Sequence, residues 1–509
     1  MDTIERRATL SFRSDSGRDY LYDDVTGSIF PWNHAREAVL KSISGHEFES
    51  RRAELERSFG TEEIEAAVQF INHARQSLGA FFRTSSAHAR LGPPAPEQLR
   101  EHISNAAFQL LLIVTEDCNL RCKYCALSEV YPLNRTRTTR TMNIETACRA
   151  VDWFVGLVEP QIRRNPRKRF GLSLYGGEPL MNAPTVRGVL EYARDRYPGL
   201  FAPVMTTNGT LLTPKNVAML VEHNVQLGIS IDGPEAEHDR LRIDSRGKGS
   251  FARIAQNLAA IKRDYPEFWS ANLSSVSVYD WGTDLDAVCD FFAENADNIP
   301  RSVFVNEVSP RNTDYYDSLT EERRRRAQER FARLRRQYKQ TKIDGEKAGE
   351  YLTCAAGFPL VRTLLRQRAG DARTPFLPFT GTCVPGDKIA VHVDGKLDMC
   401  ERVNGTYPIG HLDRGGLDYE RIREIIAEYQ QLIMQSCHGC PVTKFCNVCF
   451  SLVEKDGSFE RSSPLCAGTV RATRQNLADY VSIMEANPSA DFSLETDVSM
   501  LEKRLLFFY

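Results

Sequence analysis

Thr115-Glu116-Asp117-Cys118-Asn119-Leu120-Arg121-Cys122-Lys123-Tyr124-Cys125 comes directly after an apolar run, Phe108 to Val114. The run is continuous rather than alternating, which predicts a strand buried on both faces, as in a parallel sheet. The cysteines, spaced C-x3-C-x2-C, then sit on the loop leaving that strand. Three thiolates on one short loop can hold three irons of a 4Fe-4S cube and leave the fourth iron without a protein ligand. Zinc is the competing use of such a loop, but zinc normally takes four ligands, often from paired C-x2-C arms.

Downstream, strand patterns alternate with helix patterns. Strands are predicted at Phe108 to Val114, Phe170 to Tyr175, Val204 to Thr207, Gln226 to Ile231, Leu273 to Val278 and Ser302 to Val308. Helical segments fall between them, among them Ile144 to Val158, Pro214 to Glu222 and Phe251 to Asp264. This alternation predicts a parallel α/β layer whose useful loops lie at the strand C-termini. Three such loops carry short motifs: Gly176-Gly177-Glu178-Pro179, Thr206-Thr207-Asn208-Gly209, and Ser230-Ile231-Asp232-Gly233-Pro234 with His238-Asp239 and Arg242 a little further on. Each is weak alone. Their order behind the right strands makes them informative.

The cysteine loop, with Tyr124 just before its last cysteine, and these motifs together resemble the radical S-adenosylmethionine (SAM) superfamily. The resemblance implies a partial (β/α)6 barrel and an open iron, next to Cys118, Cys122 and Cys125, that chelates SAM. It also implies SAM contacts from Tyr124, Gly176, Gly177, Glu178, Thr207, Asn208, Ser230, Asp232 and Arg242. Backbone carbonyls at the glycines would accept from the SAM ammonium group, and Arg242 could pair with its carboxylate.

The chain has 509 residues, which predicts two to four domains. Its 65 Lys plus Arg nearly balance 67 Asp plus Glu, so bulk charge calls for neither a nucleic-acid nor a membrane partner. No run of 18 apolar residues and no basic-then-apolar start are present, and the expected location is the cytoplasm. Thirteen cysteines in such a chain argue for metal binding over disulfides. Cys148 and Cys289 lie among apolar neighbours in helical patterns and read as core residues. The arginine-dense segment Thr320 to Lys342 has glutamates three or four residues from its arginines, so it reads as a solvated face bridging the barrel to the C-terminal domain.

Seven further cysteines read Cys383-x16-Cys400, then Cys437-x2-Cys440-x5-Cys446-x2-Cys449-x16-Cys466. Gly395 stands in a Gly-x4-Cys pattern ending at Cys400. The set resembles the SPASM extension with two auxiliary 4Fe-4S clusters, although the pair Cys446 and Cys449 is one residue closer than the commoner spacing. The resemblance assigns Cys383, Cys400 and Cys449 to the first cluster and Cys437, Cys440, Cys446 and Cys466 to the second. The first is one ligand short: either Cys354 fills the gap or the iron is open to substrate. Cys354 precedes Cys383 by 29 positions, farther than the usual first ligand, which favours a non-cysteine or open site. Glu401, next to Cys400, stands where sulfatase-maturing relatives have a catalytic aspartate. A carboxylate beside an anionic cluster is expected to have a raised pKa, suited to a base, unless it pairs with Arg402 or another cation.

Residues 1–92 give three short strands (Ala8 to Phe12, Asp19 to Tyr22, Ser28 to Phe30) and three helices (Asn33 to Ile43, Phe48 to Phe59, Thr61 to Leu78, begun by Thr61). Their layout resembles the winged-helix leader-binding domain of peptide-modifying relatives, which adds an extended peptide to a sheet edge. Pro93-Pro94-Ala95-Pro96 reads as a linker. The expected organisation is therefore 1–92 for leader binding, 105–310 for the barrel, 311–375 for a helical bridge, 376–475 for the auxiliary clusters and 476–509 for a tail. The implied activity is radical abstraction of hydrogen from a ribosomally made precursor peptide to form a thioether or carbon-carbon cross-link. It would need three 4Fe-4S clusters, SAM, and an electron donor such as flavodoxin or ferredoxin. The alternatives are a formylglycine-forming sulfatase maturase and a non-catalytic zinc-binding peptide adaptor. Anaerobically purified protein is expected to carry about twelve irons per chain, the content of three 4Fe-4S clusters; a few zincs and no iron would support the adaptor.

Overall fold

The computed structural model describes residues 5–492 except 7–8, 25, 84–91, 133–135, 369–375, 378–382, 403–406, 435–436, 438–439, 447 and 456–457. The predicted C-terminal stretch Ser493 to Tyr509 lies outside the described residues, as does Ala8 of the first predicted strand.

The N-terminal unit opens with β1 (Glu5–Arg6), then β2 (Thr9–Arg13), β3 (Asp19–Asp23) and β4 (Ile29–Trp32). The last three form an antiparallel sheet in the order β2-β3-β4. Helices α1 (His34–Ser44), α2 (Phe48–Phe59) and α3 (Thr61–Leu78) come next, and β5 (Phe82–Arg83) pairs with β1. Asn33 caps α1 by accepting from the Arg36 N–H. Helix α3 begins at Thr61, as expected, with Gly60 in the cap position. The helices close over Leu21, Phe30 and Trp32 with Ile64, Ile71 and Phe81.

The predicted linker ends one residue early, because Pro96 is the first residue of α4 (Pro96–Ala106), a position where the missing N–H costs nothing. Next come β6 (Gln109–Thr115), α5 (Ile144–Arg164), β7 (Phe170–Gly176), α6 (Ala183–Arg196), β8 (Phe201–Thr207), α7 (Pro214–Glu222) and β9 (Gln226–Ser230). After them stand α8 (Glu235–Leu241), α9 (Phe251–Asp264), α10 (Pro266–Asn272), β10 (Leu273–Tyr279), α11 (Leu285–Glu294) and β11 (Ser302–Glu307). All seven residues of β6 are buried, as an apolar run covered on both faces must be. Strands β6 to β11 are parallel neighbours in chain order, the order that the expected six β/α units require.

Helix α12 (Glu321–Ile343) leads to α13 (Glu350–Leu352), a π-helical turn at Thr353–Gly357, and α14 (Phe358–Arg368). Strands β12 (Lys388–Val391), β13 (Lys396–Asp398), β14 (Gly410–His411) and β15 (Gly416–Leu417) come next. Strand β12 lies parallel to β6, from Lys388 opposite Gln109 to Val391 opposite Leu112. The sheet thus runs ten strands, from β11 through β6 to β15. The remaining elements are α15 (Tyr419–Ile433), α16 (Phe450–Val453), the pair β16 (Glu454–Lys455) and β17 (Ser458–Phe459), and α17 (Ser463–Ala486). No helix among the described residues is long and apolar enough to cross a membrane.

The N-terminal sheet packs against the segment from Val442 to Val481. Leu10, Phe12 and Tyr22 share a buried cluster with Val442, Phe445, Leu477 and Val481. Arg335 of α12 pairs with Asp479 of α17 at 2.5 Å, and Lys339 reaches Asp15 at 2.5 Å. The arginine-dense helix is a brace, with Glu322 and Glu329 pairing Arg325 on its outer side. Asp24, 3% exposed, accepts from the Lys444 N–H at 3.0 Å and from the Thr443 hydroxyl, inside the segment between Cys440 and Cys446. Replacing Asp24 with Ala removes the acceptor shared by these two buried donors, at a cost of about 1–3 kcal/mol; a lower urea midpoint than wild type checks this.

Candidate functional site

The cysteine loop is held from two sides. The Gly177 N–H donates to the Thr115 carbonyl at 3.0 Å and the Glu178 N–H to the Asp117 carbonyl at 2.8 Å. The approach is so close that a Cβ on Gly177 would lie 2.0 Å from the Asp117 oxygen. The Gly-Gly pair is therefore required by contact with the cysteine loop itself. On the other side, the Arg121 N–H donates to the Ile243 carbonyl and the Lys123 N–H to that of Leu241, which ties the loop to the last residue of α8 and the segment after it.

Glu178 is fully buried, and its carboxylate accepts from the Leu180 N–H, the Thr207 hydroxyl at 2.8 Å and the Asn208 N–H at 2.8 Å. Burial raises its pKa, and those three donors oppose the rise. Asn208 passes the connection on to the Asn119 side chain at 2.8 Å, and Asn119 donates to the Thr210 hydroxyl at 2.8 Å. Tyr124 donates to Asp232 at 2.6 Å and accepts from Arg242, which stands 3.8 Å from the same carboxylate. Burial raises the Tyr124 and Asp232 pKa values. His238 fixes this corner by accepting from the Asp232 N–H at 3.3 Å and meeting Ser250 at 2.9 Å. Burial and then Arg242 push its pKa well below the ordinary value, so it is neutral. Ser230, 8% exposed, ends β9 beside them.

The structure thus brings the predicted residues Tyr124, Gly176, Gly177, Glu178, Thr207, Asn208, Ser230, Asp232 and Arg242 to one end of the parallel strands, around Cys118, Cys122 and Cys125. The donor set there is all sulfur, suited to iron, and Arg242 Nε is a buried donor without a hydrogen-bond partner. Such a donor fits an anionic group such as the SAM carboxylate. Burial raises the Cys118 thiol and pushes Cys122 up to about 12, so metal loading must displace protons. Asn119, Thr210 and Ser250 complete the site and were not anticipated; only Asn119 carried a signal, since it lies inside the cysteine motif.

The other seven cysteines separate into two sets in space. Burial pushes Cys383 and Cys400 up to about 12, and Cys449 is a close neighbour of both. Burial likewise raises Cys437, Cys440 and Cys446, and Cys466 is a neighbour of all three. Among the described residues no three His, Cys, Asp or Glu side chains converge on a single point. Cys383, Cys400 and Cys449 line a cavity of about 390 Å³ with Glu401, Lys388 and Arg402.

At Glu401 the paired alternative holds, and the raised pKa does not. Burial acts upward, but Lys388 at 2.7 Å, with Arg402 at 3.7 Å, outweighs it and holds the carboxyl below its ordinary value. Lys388 gave no signal because it is distant in the chain. The β12–β13 hairpin, whose last registered pair is Ala390 opposite Asp398, folds it back beside Cys400.

Residues 112–272 match the radical SAM superfamily, and this stretch is a radical SAM domain. The chain is 28% identical over 156 residues to the radical SAM cyclopropyl synthase TigE of Paramaledivibacter caminithermalis, a match covering 30% of this chain and 32% of that protein. It is 31% identical over 160 residues to the serine-type anaerobic sulfatase-maturating enzyme of Bacteroides thetaiotaomicron, covering 30% of this chain and 36% of that one. The chain thus spans about a third of the length of these relatives. In fold it resembles the solved structure of anSMEcpe with bound AdoMet, with a TM-score of 0.53, 18% identity, and coverage of 77% of this chain and 99% of the other. In Gly177→Ala protein the Cys118 loop must move, and reconstitution is expected to load about four fewer irons per chain than wild type, the content of one 4Fe-4S cluster. Equal iron in the two proteins would count against that loop as a cluster site.

Proposed function

We propose that the chain is a radical SAM enzyme that removes hydrogen from a residue of a ribosomally made precursor peptide and installs a thioether or carbon-carbon cross-link. The observation that carries the reading is the interlock of the three-cysteine loop with Gly177, Glu178 and the buried Tyr124–Asp232–Arg242 network. When bound and reduced by a donor such as flavodoxin or ferredoxin, SAM and a 4Fe-4S cluster on Cys118, Cys122 and Cys125 supply a 5′-deoxyadenosyl radical. The chain's own residues orient and shield. Arg242 Nε offers a hydrogen bond to an anionic group, Asp232 and Tyr124 hold Arg242 in place, and buried Glu178 locks the Thr207–Asn208 turn against the cysteine loop.

The peptide reading is supported by the N-terminal sheet. Its β2 edge faces α17, where Arg474 donates to the Ser11 carbonyl at 3.2 Å. Its β4 edge pairs only with β3 among the described residues. Pro31 marks that strand as an edge, but it has no N–H and its carbonyl accepts from the Arg36 guanidinium, so a leader added there must pair with the remaining β4 backbone. An extended leader can add there as a further strand, raising the local concentration of the attached core peptide.

The second reading is formylglycine formation, favoured by the similarity to a sulfatase-maturating enzyme. Roughly a quarter of this chain has no counterpart in the anSMEcpe fold, since the match covers 77% of this chain but 99% of that one. Because residues 10–24 pack into the C-terminal portion, the test keeps the full chain and removes the leader from the precursor instead. Under the cross-linking reading, turnover of the leaderless precursor falls about tenfold or more below that of the full-length precursor while dithionite-driven 5′-deoxyadenosine release persists. Unchanged turnover points to the sulfatase-type activity. Absence of 5′-deoxyadenosine from wild-type protein, at a level matching Cys122→Ala, would refute both.

A further inference from the structure

Three cysteines stand outside the two motifs. Cys148 lies on α5 and Cys289 on α11, and neither borders the cavity beside Glu401. Cys354 does border it, together with Cys383, Cys400 and Cys449. It is 6% exposed. It is the second residue of the π-helical turn Thr353–Gly357, all five residues of which are buried.

A π turn accommodates one more residue than an α turn and rotates the side chains beyond it; such turns occur mostly at functional sites. This one is pressed against its support, because a Cβ on Gly357 would lie 2.5 Å from the Tyr338 ring of α12. The irregular backbone is thus held by packing in the position that puts Cys354 on the cavity wall. The separation of 29 positions between Cys354 and Cys383 counts against Cys354 only along the chain. In the fold the two border one space.

We propose that Cys354 is the fourth ligand of the auxiliary cluster held by Cys383, Cys400 and Cys449, so that this cluster is closed to substrate. The proposal rests on the reading of those three cysteines as a cluster site. On loading, the Cys354 thiol releases its proton to solvent and its thiolate binds the iron that the other three leave uncovered. Lys388 and Arg402 border the same cavity and stand near the added negative charge.

The test uses the full chain carrying Cys118→Ala, Cys122→Ala and Cys125→Ala, so that only auxiliary clusters load. Anaerobic reconstitution is expected to give about eight irons per chain, the content of two 4Fe-4S clusters. A cube with three protein ligands sheds its uncovered iron under brief ferricyanide oxidation and shows a 3Fe-4S signal by electron paramagnetic resonance; a cube with four does not. With Cys354 present no such signal is expected. With Cys354→Ala added it should appear with the loss of one iron, and Cys289→Ser, a half-buried cysteine outside the cavity, should leave the spectrum unchanged. A 3Fe-4S signal already present with Cys354 intact, or identical behaviour with and without Cys354, overturns the proposal while leaving the cluster reading in place. Protein without iron in the triple variant overturns both. Should Cys354→Ala fail to fold, Cys354→Ser and the spectrum of the Cys354-intact chain decide the matter by the same criterion.

Discussion

The structure depends on the backbone seam between the first cysteine loop and the Gly176-Gly177-Glu178 turn. Two N–H groups of one loop are spent on two carbonyls of the other, at 3.0 and 2.8 Å. The seam closes only because no side chain stands at Gly177. Glu178 then anchors a third loop through Thr207 and Asn208, and Asn208 returns to Asn119 in the cysteine loop. Loops from three neighbouring strands thereby form a closed circuit of hydrogen bonds. Burying the Glu178 carboxylate is tolerable because every bond it accepts also fixes a piece of this circuit.

Much of this was legible in the sequence. The six parallel strands and their order come from unbroken apolar runs such as Phe108 to Val114, and helices with clear termini, Pro214–Glu222 and Phe251–Asp264, have the same bounds in sequence and structure. The motif residues converge because each sits just past a strand end, so the parallel layer places them on one side. Helix α4 is not among the expected segments, because Pro93 to Pro96 at its start reads as linker, whereas α11 carries the helical pattern around Cys289.

What the sequence hid lies in pairings between distant segments. Lys388 is set against Glu401 by a hairpin register, and that pair reverses the direction in which the Glu401 carboxyl titrates. Cys354 reaches the cavity through a π turn, whose extra residue no periodicity rule anticipates. Asp24 meets Thr443 and Lys444 across more than four hundred residues of chain. Local propensity carries no trace of such contacts; they arise from how finished elements pack.

Strand β12 has one more implication. It is hydrogen-bonded to β6, the strand that delivers the first cysteine loop, so Cys383 and Cys400, which flank β12 and β13, are tied to the same sheet as the N-terminal cysteines. The two halves are not beads on a string. A chimaera that exchanged the C-terminal portion at a junction before Lys388 would have to supply a strand matched to the β6 edge, or leave that edge bare and prone to pairing with other chains. Modularity in this architecture is limited by a seam of backbone, and substrate range has to be engineered inside that frame.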